Sequence, residues 1–495
     1  MGYEEMHNDV WDVAPKSDKF SLIAKLDEEV EVKVKTPMGT TDKFKLNKVV
    51  LQGTVLAPIK SSIQLETFSS ECWKSRKGTL LYKYKGCTLI PSLQMIDDIL
   101  IVSKCGVQAL ELNAALNAFI EGKKLRMSQE KSHNLHVSKV RKRCDLKLKV
   151  HEDEMERTDS FIYLGDKVTE NGSVEETIKL RKVKSIGIRS QICSILKNVT
   201  LGAFYIKTAL ILRESMFVNG IITNSESWNF ISLKQMKSLE DEDSRLWSSI
   251  FASPKCTNRV IYYLETATLP LRYILSKRLF LYFWHILSRP DHELISRVYK
   301  AQQLRPVRHD HCLRIKEEKE RYGITLSDQE IQNMSKNKFK RYISDKIEKY
   351  AFTQLILSAK NQSKCQFILK NIDIADIKIQ QYLICEDLMK EEQILLFSLR
   401  SQTFPVKSNY KYLHKDNMIC RACHLPETVE NEIHFSETCP VFSDERGSEK
   451  LYYNDVFGTL DVQIRFVKLF KIIARKWNLI LEVENQPSRW TLPAP

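Results

Sequence analysis

The segment Pro91-Ser-Leu-Gln-Met-Ile-Asp-Asp-Ile-Leu-Ile-Val102 places two adjacent carboxylates, Asp97 and Asp98, between two apolar runs. Apolar runs of this length are typical of short buried strands. Because an unpaired carboxylate is costly to bury, we expect the pair to lie at the tip of a tight hairpin. Carboxylates presented in this way suit Mg²⁺, which binds them together with substrate phosphates. The alternative is an acidic turn on a surface hairpin, because Asp is common in turns.

Three other segments accompany the acidic pair along the chain. The segment Gln52–Pro58 lies upstream of it, and Lys131 and then Tyr163–Gly165 lie downstream. In this order and at these spacings, the segments resemble the reverse transcriptase of non-LTR retrotransposons. With the cysteine pattern described below, the resemblance covers most of the chain. It implies RNA-directed DNA polymerase ancestry.

The resemblance also implies a role for each of these segments. Mg²⁺ ions would clamp the attacking and leaving oxygens of nucleotidyl transfer. Nucleotide and template would be positioned by Gln52, Gly53 and Pro58, and Mg²⁺ would be bound by Asp97 and Asp98. Lys131 would protonate the leaving pyrophosphate. The primer grip would consist of Tyr163, Leu164 and Gly165.

One part of the polymerase pattern is missing from the sequence. Two-metal catalysis needs carboxylates from more than one strand, because both ions must be bridged. The family carries a further aspartate upstream, in a strand of the form Asp-x-x-x-Ala-Phe-Asp. The aspartates that precede Gly53 here all lack this context: Asp9, Asp12, Asp18, Asp27 and Asp42. We therefore expect a chain that begins just after the first catalytic strand, lacks the fingers and has little or no polymerase activity.

Composition indicates the class of partner. The 495 residues carry a formal net charge of +14, which suits phosphate-rich partners such as RNA and DNA. A generic basic protein is the alternative interpretation of the charge alone. The sequence has no apolar run of the roughly 18–20 residues that a membrane span needs and no signal peptide. Most of the 12 cysteines are scattered singly, as in a reducing compartment. We expect a nuclear or cytoplasmic protein that is neither secreted nor in a membrane.

These patterns predict an α+β chain, in which a partial reverse transcriptase palm precedes a predominantly α-helical thumb and linker and a small zinc-binding segment. The predicted boundaries are a palm over 1–150, a primer-grip hairpin and helical thumb over 151–300, a helical linker over 301–412, a CCHC zinc-binding segment over 413–446, and a C-terminal helix and tail over 447–495. No restriction-like endonuclease pattern follows the zinc segment.

Two basic helical stretches are candidates for contact with the nucleic-acid backbone. The stretch 176–192 has apolar residues at helical spacing and a cationic face. Its basic residues are Lys179, Arg181, Lys182, Lys184 and Arg189. The capping box formed by Ser327 and Glu330 predicts the start of a helix that contains a second basic cluster, Lys336, Lys338, Lys340 and Arg341. Both suit sequence-independent phosphate contact, and the alternative is a solvated helix face.

The residues Cys420, Cys423, His434 and Cys439 form the pattern C-x₂-C-x₁₀-H-x₄-C. Three thiolates and an imidazole can close a tetrahedron around Zn²⁺ in a structural site. His414 and His424 are alternative ligands, and two unrelated cysteine pairs are the alternative interpretation. The stretch also resembles the zinc-binding segment of non-LTR elements, in which Leu-Arg-Ser precedes the first cysteine, as Leu399–Ser401 does here. We expect a closed site that aims the basic neighbours Arg421 and Arg446 at nucleic acid.

Other enzyme classes are not indicated. The sequence has no G-x-x-x-x-G-K-[ST], no G-x-G-x-x-G, no G-x-S-x-G and no H-E-x-x-H. Two alternatives to a reverse transcriptase-like protein stay open at this stage. One is a nucleic-acid-binding protein without catalysis, and the other is a relic gene model with no selected function.

Overall fold

The computed structural model describes residues 31–33, 35–36, 39–45, 65, 67–69, 71–72, 79–83, 87–90, 92–123, 125–137, 146–228, 231–255, 257–307, 309–373, 376–409, 418–448 and 452–483. The chain forms two units, unit 1 over 1–173 and 290–307, and unit 2 over 174–289 and 308–495. The chain passes between the units at 173/174, 289/290 and 307/308. The boundary at 173/174 lies within the predicted segment 151–300, and 290–307 belongs to unit 1.

The described residues of unit 1 form short two-stranded sheets, helical residues at 65, 67–69 and 71–72, and two longer helices. The strands are β1 Glu31–Val32, β2 Lys35–Thr36, β3 Gly39–Thr40, β4 Phe44–Lys45, β5 Thr79–Lys83, β6 Cys87–Ile90, β7 Leu93–Met95, β8 Asp98–Leu100, β9 His133–Asn134, β10 Lys149–Val150, β11 Asp153–Glu154, β12 Glu156–Arg157, β13 Ser160–Tyr163 and β14 Asp166–Thr169. The antiparallel pairs are β1–β4, β2–β3, β5–β6, β7–β8, β10–β11 and β13–β14, and β9 pairs with β12 in parallel. The helices are α1 Gly106–Gly122 and α8 Leu294–Leu304.

Helix α1 organises the core of unit 1. Its buried face carries Leu112, Leu116 and Phe119, and the ring of Phe119 lies 5.4 Å from that of Phe68. Two amides on the same helix hold the β10 strand, since Asn113 Nδ2 and Asn117 Nδ2 donate to the Lys149 carbonyl at 2.9 and 3.0 Å. Unit 1 therefore combines a helix with small sheets, which agrees with the α+β class in its coarse form.

In unit 2 the described residues form mainly helices, together with the isolated antiparallel bridges Leu201–Met389 and Ile419–Val429. Its α-helices are α2 Glu175–Lys197, α3 Gly202–Leu212, α4 Asn219–Ile222, α5 Leu233–Ile250, α6 Arg259–Thr266, α7 Leu271–Leu287, α9 His311–Arg321, α10 Asp328–Gln332, α11 Lys336–Lys360, α12 Gln366–Asn371, α13 Lys390–Arg400, α14 Ser443–Arg446 and α15 Leu460–Val483. Single π-helical segments occur at Arg213–Val218 and His434–Thr438. No helix among the described residues is both long enough and apolar enough to cross a membrane.

The capping box at Ser327 is present, but the helix that it opens is short. Ser327 Oγ accepts from the Glu330 amide at 3.2 Å, and the Glu330 carboxylate accepts from the Ser327 amide at 2.7 Å. The helix ends at Gln332, and Ser335 then caps the separate helix α11. The prediction that one helix runs from Ser327 through the basic cluster is therefore wrong, because a second N-cap starts a new helix.

One hydrophobic core unites the predicted thumb, linker, zinc segment and tail. It contains Phe251 of α5, Phe397 of α13, Phe435 beside the cysteines and Trp477 of α15. The rings of Phe251 and Phe397 lie 4.0 Å apart, and those of Phe435 and Trp477 lie 4.9 Å apart. Because apolar burial is the main driving force of folding, these segments stabilise one another.

A buried ion pair lies within this core. Arg400 at the end of α13 contacts Glu265 of α6, with Nη2 3.0 Å and Nε 3.1 Å from the carboxylate oxygens. Nη1 of Arg400 donates to the Val456 carbonyl at 2.8 Å, and the Tyr382 hydroxyl donates to Glu265 at 2.7 Å. Arg400 and Glu265 are both fully buried. The pair thus joins two helices to the segment that precedes α15.

We expect Arg400→Met to lower the free energy of unfolding by about 3–5 kcal/mol, because it leaves the Glu265 carboxylate buried without its cation. Urea-induced unfolding, followed by circular dichroism, measures the loss. Lys349→Met is the matched control, since Lys349 and its partner Asp345 are both exposed on α11 and an exposed pair contributes little. A loss below about 1 kcal/mol for Arg400→Met would contradict a structural role for the pair.

Candidate metal centre and nucleic-acid surfaces

A tight loop presents the first two cysteines of the cluster. Ile419 pairs with Val429 in an antiparallel bridge, and the Cys420 amide donates to the Thr428 carbonyl at 3.2 Å. The His424 amide turns back to the Cys420 carbonyl at 2.9 Å, with His424 in the left-handed region at φ 52°. This loop fixes both thiols of the C-x₂-C pair on one side.

A π-helical turn presents the other two ligands. His434 begins the turn, and its amide donates to Asn431 Oδ1 at 2.7 Å. Its Nδ1 lies 3.0 Å from Thr438 Oγ1, and its Nε2 lies 3.4 Å from the Cys423 sulfur. Cys439 follows, with its amide donating to the His434 carbonyl at 2.7 Å. Contacts of the Thr438 type orient ligating histidines, and π-helical turns are frequent at functional sites.

The structure brings together the four residues that the sequence spacing selects. One ligand atom from each of Cys420, Cys423, His434 and Cys439 lies within 4.8 Å of all the others. In tetrahedral Zn²⁺ sites the Zn–S distance of about 2.3 Å corresponds to ligand separations of about 3.8 Å. The cluster can therefore hold a metal ion such as zinc. His424 is exposed and outside the cluster, and His414 lies outside the described residues.

The electrostatics of the cluster act on its ligands in different directions. Hydrogen bonding to Cys439, aided by burial, raises the pKa of Cys420, and the same hydrogen bond lowers the pKa of Cys439. Burial, followed by the nearby charge of Arg446, lowers the pKa of His434. The imidazole is thus held neutral, which is the form that binds metal.

The two arginines beside the cluster support the loops instead of facing outward. Arg421 Nε lies 2.9 Å from the buried Glu430 carboxylate, and its guanidinium lies 4.6 Å from the centre of the Trp477 ring. Arg446 donates to the carbonyls of Phe435 and Cys439 at 3.2 and 2.7 Å. The expectation that these arginines reach nucleic acid is wrong, because their donors are engaged in holding the metal loops.

Helix α2 also differs from its predicted cationic face. Arg181 is buried and directs its guanidinium towards the carbonyls of Gly220 and Thr223, at 3.5 and 3.4 Å. Arg189 contacts Glu242 of α5 at 3.6 Å, and Lys179 pairs with Glu175 and Glu176. The prediction that Arg181 contacts the phosphate backbone is therefore wrong, because the side chain lies in the protein interior.

Two lysines of α2 reach solvent, as the predicted cationic face requires. Lys182 is half-buried and Lys184 is exposed, and neither forms an ion pair with a described residue. The apolar residues Val183 and Ile186 lie beside them at 69% and 53% exposure, although the sequence pattern placed them on the buried face. The buried face of α2 therefore differs from the one that the sequence pattern predicted. Helix α4 packs closely against α2 at Gly220, where an added Cβ would lie 2.5 Å from Ile188 Cδ1.

The acidic pair lies at the tip of a two-residue hairpin. Met95 pairs with Asp98 across the turn, and Asp97 lies within it. Ile96 occupies the left-handed region at φ 58°, which is unfavourable for a β-branched residue. Both carboxylates are exposed. Leu93 and Met95 are also exposed, so the prediction that the flanking strands are buried is wrong for β7.

The hairpin β13–β14 belongs to the same unit as the acidic hairpin. Its turn consists of Leu164 at φ 48° and Gly165 at φ 87°, in a register that pairs Tyr163 with Asp166. Burial and then the negative charge of Asp98 raise the pKa of Tyr163. The charge of Asp98 therefore acts on Tyr163, although the two residues are distant in the sequence.

The other predicted polymerase residues are less informative. Lys131 is exposed in the turn that precedes β9. Gln52, Gly53 and Pro58 lie outside the described residues. In the part of the chain that the structure describes, no third carboxylate joins Asp97 and Asp98 in a metal-binding group.

Comparisons with known proteins add no relative. No protein-family model matches the chain, and no curated protein matches it with significant similarity. The residues and their geometry therefore carry the functional inference.

We expect one zinc ion per chain, held by the four clustered ligands. Cys423→Ser should remove most of the metal, because a closed four-ligand site loses a thiolate. Elemental analysis of protein purified under reducing conditions without chelator measures the content. Cys105→Ser is the control, since Cys105 is an exposed thiol outside the cluster and its replacement should leave the content unchanged. Wild-type protein without zinc would refute the assignment.

Proposed function

We propose that this chain is a retroelement-derived, reverse transcriptase-like protein that binds RNA and DNA through its basic surfaces and does not polymerise by itself. The observation that carries the proposal is the hairpin β7–β8, which presents the exposed carboxylates of Asp97 and Asp98 at its tip, with the charge of Asp98 acting on Tyr163. The sequence resemblance assigns these residues to the primer grip and to the metal-binding hairpin, which must be neighbours in a polymerase because the primer end meets the metals.

Backbone strain supports a functional role for the acidic hairpin. A β-branched residue in the left-handed region costs roughly 1–3 kcal/mol, and such strain is concentrated at active sites. Ile96 bears this strain directly before Asp97. An ordinary surface turn would be free to carry Gly or Asn there instead. The strained turn therefore favours a positioned acidic pair over a simple surface turn.

The two carboxylates at the tip of the hairpin β7–β8 suit Mg²⁺, but two-metal catalysis needs a further carboxylate. Mg²⁺ bound there would offset the charge of substrate phosphates. Asp97 and Asp98 would bind it through exposed carboxylate oxygens, and the ammonium of Lys131 would serve as a proton donor for pyrophosphate. The 495-residue sequence contains no Asp-x-x-x-Ala-Phe-Asp to supply the further carboxylate. We therefore propose retention of the fold without the reaction.

Nucleic-acid binding is supported by cations that the structure leaves on the surface. The exposed side chains of the basic cluster at the start of α11 are Lys336, Lys338, Lys340 and Arg341. Cations near the N-terminus of a helix are unfavourable, because the helix dipole is positive there. A polyanion would remove this repulsion. The cluster and the two lysines of α2 are therefore suited to phosphate contact.

The purified chain should not extend an RNA-templated DNA primer in the presence of Mg²⁺, because the sequence lacks the Asp-x-x-x-Ala-Phe-Asp strand that would supply the further carboxylate. A gel-based extension assay over a range of Mg²⁺ and Mn²⁺ concentrations measures the activity. Extension that Asp97→Ala abolishes, and that the control Asp159→Ala retains, would overturn this expectation. Asp159 is an exposed carboxylate in the same unit.

Affinity for RNA should fall steeply as salt concentration rises, because binding to phosphates releases counterions. Replacing Lys182 and Lys184 by Gln should weaken binding of unrelated sequences equally. It should also reduce the slope of log affinity against log salt by about 0.7 for each phosphate of a single strand that the variant no longer neutralises. Fluorescence anisotropy at several salt concentrations measures both quantities.

The matched control replaces Lys349 and Lys378 by Gln. These lysines are exposed, and each is paired with a neighbouring aspartate, Asp345 or Asp376. The control should bind RNA nearly as the wild type does. Salt-independent binding, or equal losses of affinity in the two double variants, would show that the lysines of α2 are merely solvated.

A further inference from the structure

The three thiols of the metal cluster differ in their access to solvent. Cys420 and Cys439 are fully buried, with 0% exposure, whereas Cys423 is partly exposed. The sulfur of Cys439 lies within 4.8 Å of the sulfurs of both Cys420 and Cys423. The cluster therefore has one thiol that a small oxidant can reach and a second thiol directly behind it.

We propose that Cys423 is a site of oxidation by hydroperoxides and that its disulfide with Cys439 opens the metal centre. In the first step the Cys423 sulfur attacks the peroxide, the O–O bond breaks, and Cys423 becomes a sulfenic acid while an alcohol or water leaves. In the second step the Cys439 sulfur attacks the sulfenic sulfur, an S–S bond forms, and water leaves. Overall, two thiols and one hydroperoxide give one disulfide, one water and one alcohol or second water.

The disulfide removes two of the four metal ligands, because its sulfurs no longer carry the thiolate charge that binds zinc. Reduction by a dithiol restores both thiols. The reaction is thus reversible as long as oxidation stops at the disulfide.

Packing couples this chemistry to the fold of unit 2. Phe435 directly follows the ligand His434, and its ring lies 4.9 Å from the Trp477 ring and 5.1 Å from the Phe442 ring. Arg421 lies between the first two cysteines in the sequence, and its guanidinium also packs against Trp477. Opening the metal centre would therefore loosen the packing that holds helix α15, and redox state would control the stability of this part of the protein.

The test treats the full zinc-loaded chain with hydrogen peroxide in stoichiometric and substoichiometric amounts. We expect release of one zinc ion per chain, detected with a chromogenic chelator, and a disulfide between Cys423 and Cys439 in peptide mass maps. A dithiol with added zinc should restore the metal. Hydrogen exchange should rise in α15 after oxidation and return to its original level after reduction.

The variant Cys423→His keeps a metal ligand at the accessible position but removes the oxidisable sulfur. It should retain zinc under peroxide over the period in which the wild type loses it, while the control Cys105→Ser should behave like the wild type. A sulfenic acid probe applied to wild-type protein at substoichiometric peroxide gives an independent result that does not depend on how the variant folds. Of the cluster thiols, Cys423 should be labelled first.

Retention of zinc by peroxide-treated wild-type protein would overturn the proposal. So would first labelling of Cys420 or Cys439, a disulfide that excludes Cys423, or equally fast loss of zinc from a zinc-loaded Cys423→His variant. None of these outcomes bears on RNA affinity, so the result is separate from the test of nucleic-acid binding.

Discussion

The contact between Arg400 and Glu265 is the constraint on which unit 2 depends. Burying an ion pair costs desolvation energy that is recovered only when every donor and acceptor is satisfied. Here the Tyr382 hydroxyl and the Val456 carbonyl supply the remaining partners. Because these groups come from distant parts of the sequence, the network forms only when the helical body and the segment before α15 have come together. It thereby specifies one arrangement of the core.

The metal cluster is consequently part of a folded body and not an independent finger on a linker. Phe435 and Cys439 belong to the same core as the helices, and Arg421 joins the first loop of the cluster to α15. A metal bound there and the packing would therefore stabilise each other, since the free energy of binding contributes to folding wherever the site is formed only in the native state. The exposed loop around Cys423 is the part of this arrangement that solvent can reach.

Local patterns could be predicted from the sequence, whereas long-range partners could not. The acidic hairpin and the cysteine cluster depend on short spacings, which the structure brings together as expected. The burial of Arg181 depends on the approach of α4 at Gly220, 39 positions away, which periodicity within α2 does not encode. The start of the basic helix α11 depends on a second N-cap at Ser335. The placement of 290–307 in unit 1 depends on tertiary contacts.

Arginine and lysine side chains lie in different places in this structure, and the difference bears on the proposed nucleic-acid binding. Its guanidinium groups at positions 213, 400 and 421 form buried or half-buried pairs with carboxylates, as suits a planar group with several donors. Lysines such as Lys184 and Lys336 remain on the surface. Bidentate arginine contacts to guanine are the commonest specific contacts with duplex DNA, whereas lysine acts mainly as a point charge towards phosphate. In the proposed nucleic-acid binding, surface lysines such as these would follow a backbone without selecting a sequence.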